Sequence, residues 1–208
     1  MTALSGIDVI LLAGGYGKRL RSVVPDVPKI LAPVAGKPFL QWQLERLAAL
    51  GAHKAVLALA HESWQVTDWL QNNAAPMWTE FVWEKSPRGT ATAISLASWR
   101  TSSQPVLALN GDTWFMGDFA PMIHRPPEFT PSAVVARTKG GVNCGAFAIS
   151  RRVIQEMRSS FKTSLEDEVL PILGEALETV IWRDGDFLDM GTPVGYARIN
   201  ELLAKESA

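Results

Sequence analysis

Several side chains in this sequence stand where they could do chemistry. The apolar run Val9, Ile10, Leu11 and Leu12 ends in Ala13, Gly14, Gly15, Tyr16 and Gly17, and the cations Lys18, Arg19 and, ten positions later, Lys29 follow. Glycines let backbone N–H groups come close to an anion, and Arg and Lys neutralise it, so this order of residues suits a polyphosphate. Three acids follow apolar runs: Glu84 after Trp83, Asp112 shortly after Leu109, and Asp189 after Phe187 and Leu188. An acid placed so either closes a turn or holds a hard cation such as Mg2+, which prefers oxygen ligands.

These groups need elements to hold them. Apolar patterning predicts strands over residues 7–12, 54–60, 80–83 and 105–109, and helices over 38–50, 62–71 and 90–100. The first helix has Leu40, Leu44 and Leu47 on one face, Pro38 at its start and Gly51 at its end. Thr90 reads as the cap of the third helix. Further on, strands are expected at 133–136, 146–149, 180–182 and 187–188, and helices at 151–159, 165–175 and 194–204. Alternating strands and helices imply an α/β fold: a Rossmann-like, open, mixed but mostly parallel sheet with helices on both faces. In such sheets ligands bind at the carboxyl ends of the strands. Gly14, Glu84 and Asp112 each lie just past a strand and fall along that edge.

Two standard phosphate motifs are absent. The dinucleotide fingerprint needs a third Gly where Leu20 stands, and the P-loop needs Ser or Thr where Arg19 follows Gly17-Lys18 and Pro38 follows Gly36-Lys37. Residues 12–40 as a whole closely resemble the signature of the sugar-1-phosphate nucleotidyltransferases, which couple a nucleoside triphosphate to a sugar 1-phosphate and release pyrophosphate. The run Arg21-Ser22-Val23-Val24-Pro25-Asp26-Val27-Pro28-Lys29 is most similar to members that carry a guanylyl group to heptose 1-phosphate. The resemblance implies nucleotide contacts from Leu12, Ala13, Gly14, Gly15, Gly17, Glu84, Gly89 and Thr90. It implies that Arg19 neutralises the leaving pyrophosphate and that Lys29 bridges the α-phosphate and the incoming phosphate. Asp112, in an Asn-Gly-Asp turn, and Asp189, in a segment similar to D-I-G-T-P with Met190 for Ile, would hold Mg2+. Arg19, Lys29 and Asp112 are thus the implied catalytic residues.

The rest of the motif set is carried by shorter matches. Residues 84–91 resemble the base-recognition loop E-x-P-L-G-T-A/G, where Glu84 could accept from guanine N1–H and its amino group together. The same Glu also suits a uridylyltransferase. The run from Asn143 to Phe147 resembles a turn whose Asn touches sugar hydroxyls, and Glu166 resembles an acid at a helix start that does the same. Members of the family carry a longer stretch before that turn, with a lysine that grips the sugar phosphate. Lys139 stands where that lysine could align, and Arg137 is a second candidate. Cys144 reads as a small buried hydrophobe, since no base stands beside it.

Composition bounds the answer. A chain of 208 residues with 47% hydrophobic residues suits one domain, here divided into a nucleotide-binding part (1–115) and a sugar-phosphate-binding part (116–208). Net charge of −1 gives no basic field for nucleic acid. Apolar runs near the start are too short for a leader or a membrane span, and one cysteine excludes an internal disulfide. A cytoplasmic enzyme of nucleotide-sugar synthesis for cell-surface polysaccharide is expected, with small-molecule substrates and an oligomeric state the sequence leaves open. Three other readings stand beside it. They are a uridylyltransferase for an amino-sugar or muramic-type 1-phosphate, a non-catalytic nucleotide- or sugar-phosphate-binding protein, and a molybdopterin-type transferase. The last shares the glycine loop but has no need of Asp189.

Overall fold

The computed structural model describes residues 2–124, 132–160 and 162–206. The first half runs β1 (Asp8–Leu12), the short pair β2 (Pro33–Val34) and β3 (Lys37–Pro38), α1 (Phe39–Ala49), β4 (Lys54–Leu59), α2 (Ser63–Asn72), β5 (Trp78–Trp83), α3 (Thr90–Ala97) and β6 (Val106–Asn110). The second runs β7 (Thr113–Phe115), α4 (Ala120–Ile123), β8 (Ala133–Thr138), β9 (Asn143–Ile149), α5 (Arg151–Ser159), β10 (Leu177–Trp182), β11 (Phe187–Asp189) and α6 (Pro193–Glu206).

Seven of these strands form one open sheet in the order β10-β8-β9-β6-β1-β4-β5. β9 runs antiparallel to β6 and β8, and the other neighbours are parallel. This is the mostly parallel, helix-flanked sheet that the alternation implies. Strands buried on both faces read as continuous apolar runs, and β1 and β4 do so because neither face meets water. Leu11, Leu57 and Leu109 pack on one side with Leu40, Leu44 and Leu47 of α1; Ile10, Val56 and Ala108 pack on the other with Ile94 of α3 and Val153 of α5. Gly51, at φ +84°, ends α1 as expected. Among the described residues no helix is long and apolar enough to cross a membrane.

Two expectations need correction. Thr90 is not the cap of α3: Gly89 occupies that position, no side chain caps the helix, and the Thr90 hydroxyl is used elsewhere. Residues 165–175 are not one α-helix. A π-helical turn, Leu165–Val169, gives way to 3-10 turns at Leu170–Ile172 and Gly174–Ala176. Pro171 lacks the N–H that an α-helix would use, and Gly174 sits at φ +52°. The strand β7 is also additional. It pairs antiparallel with β11, Thr113 opposite Asp189, and so ties the Asp112 turn to the Asp189 turn.

Candidate active site

The site grows from the carboxyl ends of β1 and β6. The Gly111 N–H donates to Leu12 O at 3.0 Å, and the Ala13 N–H donates to Ala58 O at 3.0 Å. A Cβ on Gly111 would come within 2.7 Å of Leu12 O, so only glycine lets the two strand ends approach this closely. Gly15 has open space around it, and Gly17 turns the chain at φ +59°. Leu20, where the dinucleotide fingerprint has Gly, is an anchor: it is buried with Phe39 and Met190. That anchor leaves the Arg19 side chain 70% exposed at the cleft. Arg21 fastens the same loop from behind, its Nη2 hydrogen-bonded to His61 Nε2 at 2.9 Å and donating to Glu62 Oε1 at 2.8 Å.

Lys29 opens a 3-10 turn (Lys29–Leu31) and donates to Asp112 Oδ2. Across from it, the Met190 N–H donates to Asp112 O at 2.8 Å, and the Gly191 N–H donates to Asp189 Oδ1 at 2.6 Å. Arg19 Nη2 lies 3.8 Å from Asp189 Oδ2. Gly191 shows how tight the cluster is. A Cβ there would stand 2.7 Å from Asp189 Oδ1, 2.8 Å from Lys29 Nζ and 3.0 Å from Arg19 Nη2. Two cations and one acid thus surround one glycine, and Asp112 joins them through its contact with Lys29.

Two clefts meet at this cluster. Leu12, Gly15, Gly17, Arg19, Lys29 and Asp112 line the first. Gly14, Glu84, Pro87, Gly89, Thr90 and Asn110 line the second, which shares Leu12, Gly15 and Asp112 with the first. Together they form one trough along the sheet edge. Glu84 is buried there, with Arg88 Nε donating to its Oε1 at 3.0 Å. Thr90 Oγ1 donates to Glu166 Oε2 at 2.6 Å and accepts from the Leu165 N–H at 2.9 Å. The local cap of the 165–169 turn is made by others: Ser164 Oγ accepts from the Asp167 N–H, and Glu168 Oε2 accepts from the N–H groups of Thr163 and Ser164. Those bonds hold the Glu168 carboxyl below its ordinary range. Glu166 is therefore spared from capping.

The sugar-side residues divide. Asn143 begins β9 opposite Arg137 of β8, and its Oδ1 accepts from the Gly145 N–H at 2.8 Å. Gly145, at φ +77°, lies against the Asn110 side chain. Arg137 Nε is buried with no hydrogen-bond partner among the described residues. Lys139 lies instead in the exposed turn between β8 and β9. Cys144 is buried, and desolvation, with Asp186 and Asp184 adding, pushes its thiol up to about 11. A thiol so placed is a hydrophobe, as read. Asn110, Gly111 and Gly191 were not singled out as site residues, although all three flank acids that were.

Comparison with known proteins decides the family. The nucleotidyl transferase family model matches residues 8–139. The chain belongs to the nucleotidyl transferase family. Along nearly its whole length this nucleotidyltransferase is similar to D-glycero-alpha-D-manno-heptose 1-phosphate guanylyltransferase of Aneurinibacillus thermoaerophilus, 26% identical over 228 residues, taking in 95% of this chain and 98% of that protein. Those 228 positions exceed the 208 residues here, so the alignment opens gaps in this chain. Mannose-1-phosphate guanylyltransferase of Mycobacterium tuberculosis is 27% identical over 231 residues, 92% of this chain but 63% of that protein. The fold is shared with HddC from Yersinia pseudotuberculosis, solved in complex with GMP-PN. That match has a TM-score of 0.78 at 24% identity over 95% of this chain and 99% of that one.

Proposed function

We propose that this nucleotidyltransferase moves a guanylyl group from GTP to a heptose 1-phosphate and releases pyrophosphate. The observation that carries the reading is the convergence of Arg19, Lys29 and Asp189 around Gly191, with Asp112 on Lys29, beside a glycine loop. The relatives named for guanylyl transfer to heptose 1-phosphate support the choice of base and sugar.

A phosphate oxygen of the sugar 1-phosphate attacks the α-phosphorus. The bond from that phosphorus to the oxygen of the β-phosphate breaks, and its electron pair leaves with pyrophosphate. The attacking oxygen is already anionic, so no general base is required, and catalysis is positioning and charge neutralisation. Backbone N–H groups at Gly14, Gly15 and Gly17 cradle the triphosphate. Arg19 meets charge developing on the leaving pyrophosphate. Lys29 reaches the α-phosphate and the incoming oxygen, moving off Asp112 as it does so.

The acids fit a divalent cation. Asp112 and Asp189 offer hard oxygen ligands, and among the described residues no third Asp, Glu, His or Cys completes a cluster, which is the donor set that suits Mg2+ bound partly by substrate phosphates. When bound, the ion neutralises phosphate charge.

Residues 1–115 supply the nucleotide site and 116–208 most of the sugar-phosphate site, with Asn143 and Glu166 placed for sugar hydroxyls. Arg137, not Lys139, is our choice for the cation that grips the sugar phosphate. It stands opposite Asn143 with a buried Nε that has no partner among the described residues, whereas Lys139 is out on a turn. Use of a nucleoside triphosphate fits a cytoplasmic setting and supply to cell-surface polysaccharide.

The test is pyrophosphate release over GTP, UTP, CTP, ATP and dTTP against heptose, mannose, glucose and amino-sugar 1-phosphates. Highest kcat/KM for GTP with heptose 1-phosphate is expected. Best turnover of UTP with an amino-sugar phosphate would replace the reading. Nucleotide binding with no release across the whole panel would make the protein a binder.

A further inference from the structure

Glu84 and Arg88 form a pair that the transfer chemistry does not use. The Glu84 side chain is only 6% exposed, and a buried carboxylate needs a partner. Arg88 supplies it through Nε, while 62% of its own side chain remains open to solvent. A guanidinium has five N–H donors. Only Nε is engaged with the described residues, which leaves the Nη donors available. Arg88 stands between Pro87 and Gly89, both of which line the cleft that continues from the glycine loop. The backbone there is pinned, because Gly89 is at φ +107° with Thr163 O where a Cβ would lie.

A carboxylate beside a guanidinium presents acceptors next to donors. The purine edges differ in the same terms. Guanine offers O6 as an acceptor, then N1–H and the 2-amino group as donors. Adenine reverses the first two, with an amino donor at C6 and an acceptor at N1. Uracil and thymine offer an acceptor on each side of a single N–H, which sets an oxygen against the carboxylate. An acceptor for the guanidinium beside two adjacent donors for the carboxylate is found on guanine alone among the common bases, since cytosine and adenine each carry a single amino donor on that edge. The segment has Arg88 where the motif it resembles has Leu, so the donor half of the match belongs to this chain.

We propose that Arg88 is a specificity residue that donates to guanine O6 while Glu84 accepts from N1–H and the 2-amino group. The inference rests on the guanylyl reading above.

Inosine triphosphate separates the two contacts, since it keeps O6 and N1–H and lacks only the 2-amino group. Steady-state kcat/KM is measured for GTP, ITP and UTP in the unmodified enzyme, Arg88→Leu, Arg88→Lys and Glu84→Gln, with melting temperature as the control for folding. For Arg88→Leu we expect GTP and ITP to fall together by about tenfold to a hundredfold, with their ratio unchanged. Arg88→Lys recovers part of that loss for both. Glu84→Gln narrows the GTP-to-ITP ratio itself. An unchanged kcat/KM for GTP in Arg88→Leu would overturn the inference. So would a loss larger for GTP than for ITP, narrowing their ratio as Glu84→Gln does, because Arg88 would then act by holding Glu84. Preference of the unmodified enzyme for UTP over both purines would overturn the guanylyl reading itself, a result distinguishable from either of these.

Discussion

Lys29 and Asp112 are in direct contact, so each holds the other in place before any substrate arrives. Loss of one such electrostatic contact costs transition-state stabilisation. Lys29→Ala or Asp112→Asn is expected to lower kcat by about a hundredfold or more, measured as pyrophosphate release at saturating substrate. Near-normal turnover in either variant would remove that residue from the mechanism. Asp8, at the start of β1, is a structural counterpart. Burial raises its pKa, but the N–H groups of Ser102 and Ser103, His53 and the Ser102 hydroxyl outweigh this and leave it below its ordinary 3.8. A depressed carboxylate supplies stability in full above its unfolded pKa and loses it as pH falls through the folded one. The melting temperature should therefore drop below about pH 4. Asp8→Asn should cost about 1–3 kcal/mol at neutral pH and flatten that acid limb. An acid limb as steep in the variant as in the parent would refute the assignment.

Turns rather than strands fix the precision of the site, and two glycines separate rigid from yielding surroundings. A Cβ on Gly111 would meet the Leu12 carbonyl, which is backbone and cannot step aside. A Cβ on Gly191 would meet the ends of three side chains, all of them from the charged cluster. Gly111→Ala should therefore lower both melting temperature and activity. Gly191→Ala should leave melting nearly unchanged and lower kcat/KM by displacing Arg19, Lys29 and Asp189. Equal effects of the two on melting would show that this distinction is wrong. The Thr90–Glu166 hydrogen bond works at the same scale, joining the start of α3 to the 165–169 turn.

On the scale of the whole molecule, the proposed division at residue 115 has no architectural counterpart. β8, β9 and β10 extend the sheet that β6, β1, β4 and β5 begin, and β9 lies against β6. Expressed alone, segment 1–115 would expose the β6 edge and the apolar faces that β9 and α5 cover. We expect it to be insoluble or unfolded by circular dichroism and amide exchange. A cooperatively melting 1–115 fragment would contradict this.

Strands β1, β4 and β6 were readable because burial on both faces makes each a continuous apolar run. The glycine loop, Arg19, Lys29 and the two acids stand out as candidates because each lies in a short motif. The edge strands β5 and β10 were longer than patterning suggested, since half-exposed residues such as Thr79 and Glu178 blur the period. The turn at 165–169 was misread because apolar spacing cannot tell a π turn from an α-helix when Pro171 follows. Sequence alone therefore determined the open sheet, through apolar alternation, and, through resemblance of its motifs, pointed to the family and to the charged residues. Tertiary structure alone decided that Asp189 meets Lys29 around Gly191, that Arg137 and not Lys139 faces Asn143, and that Arg88 pairs with Glu84. Those contacts depend on β11 pairing with β7, on the β8–β9 register and on the conformation of a loop, and none of these leaves a periodic trace in the residues involved.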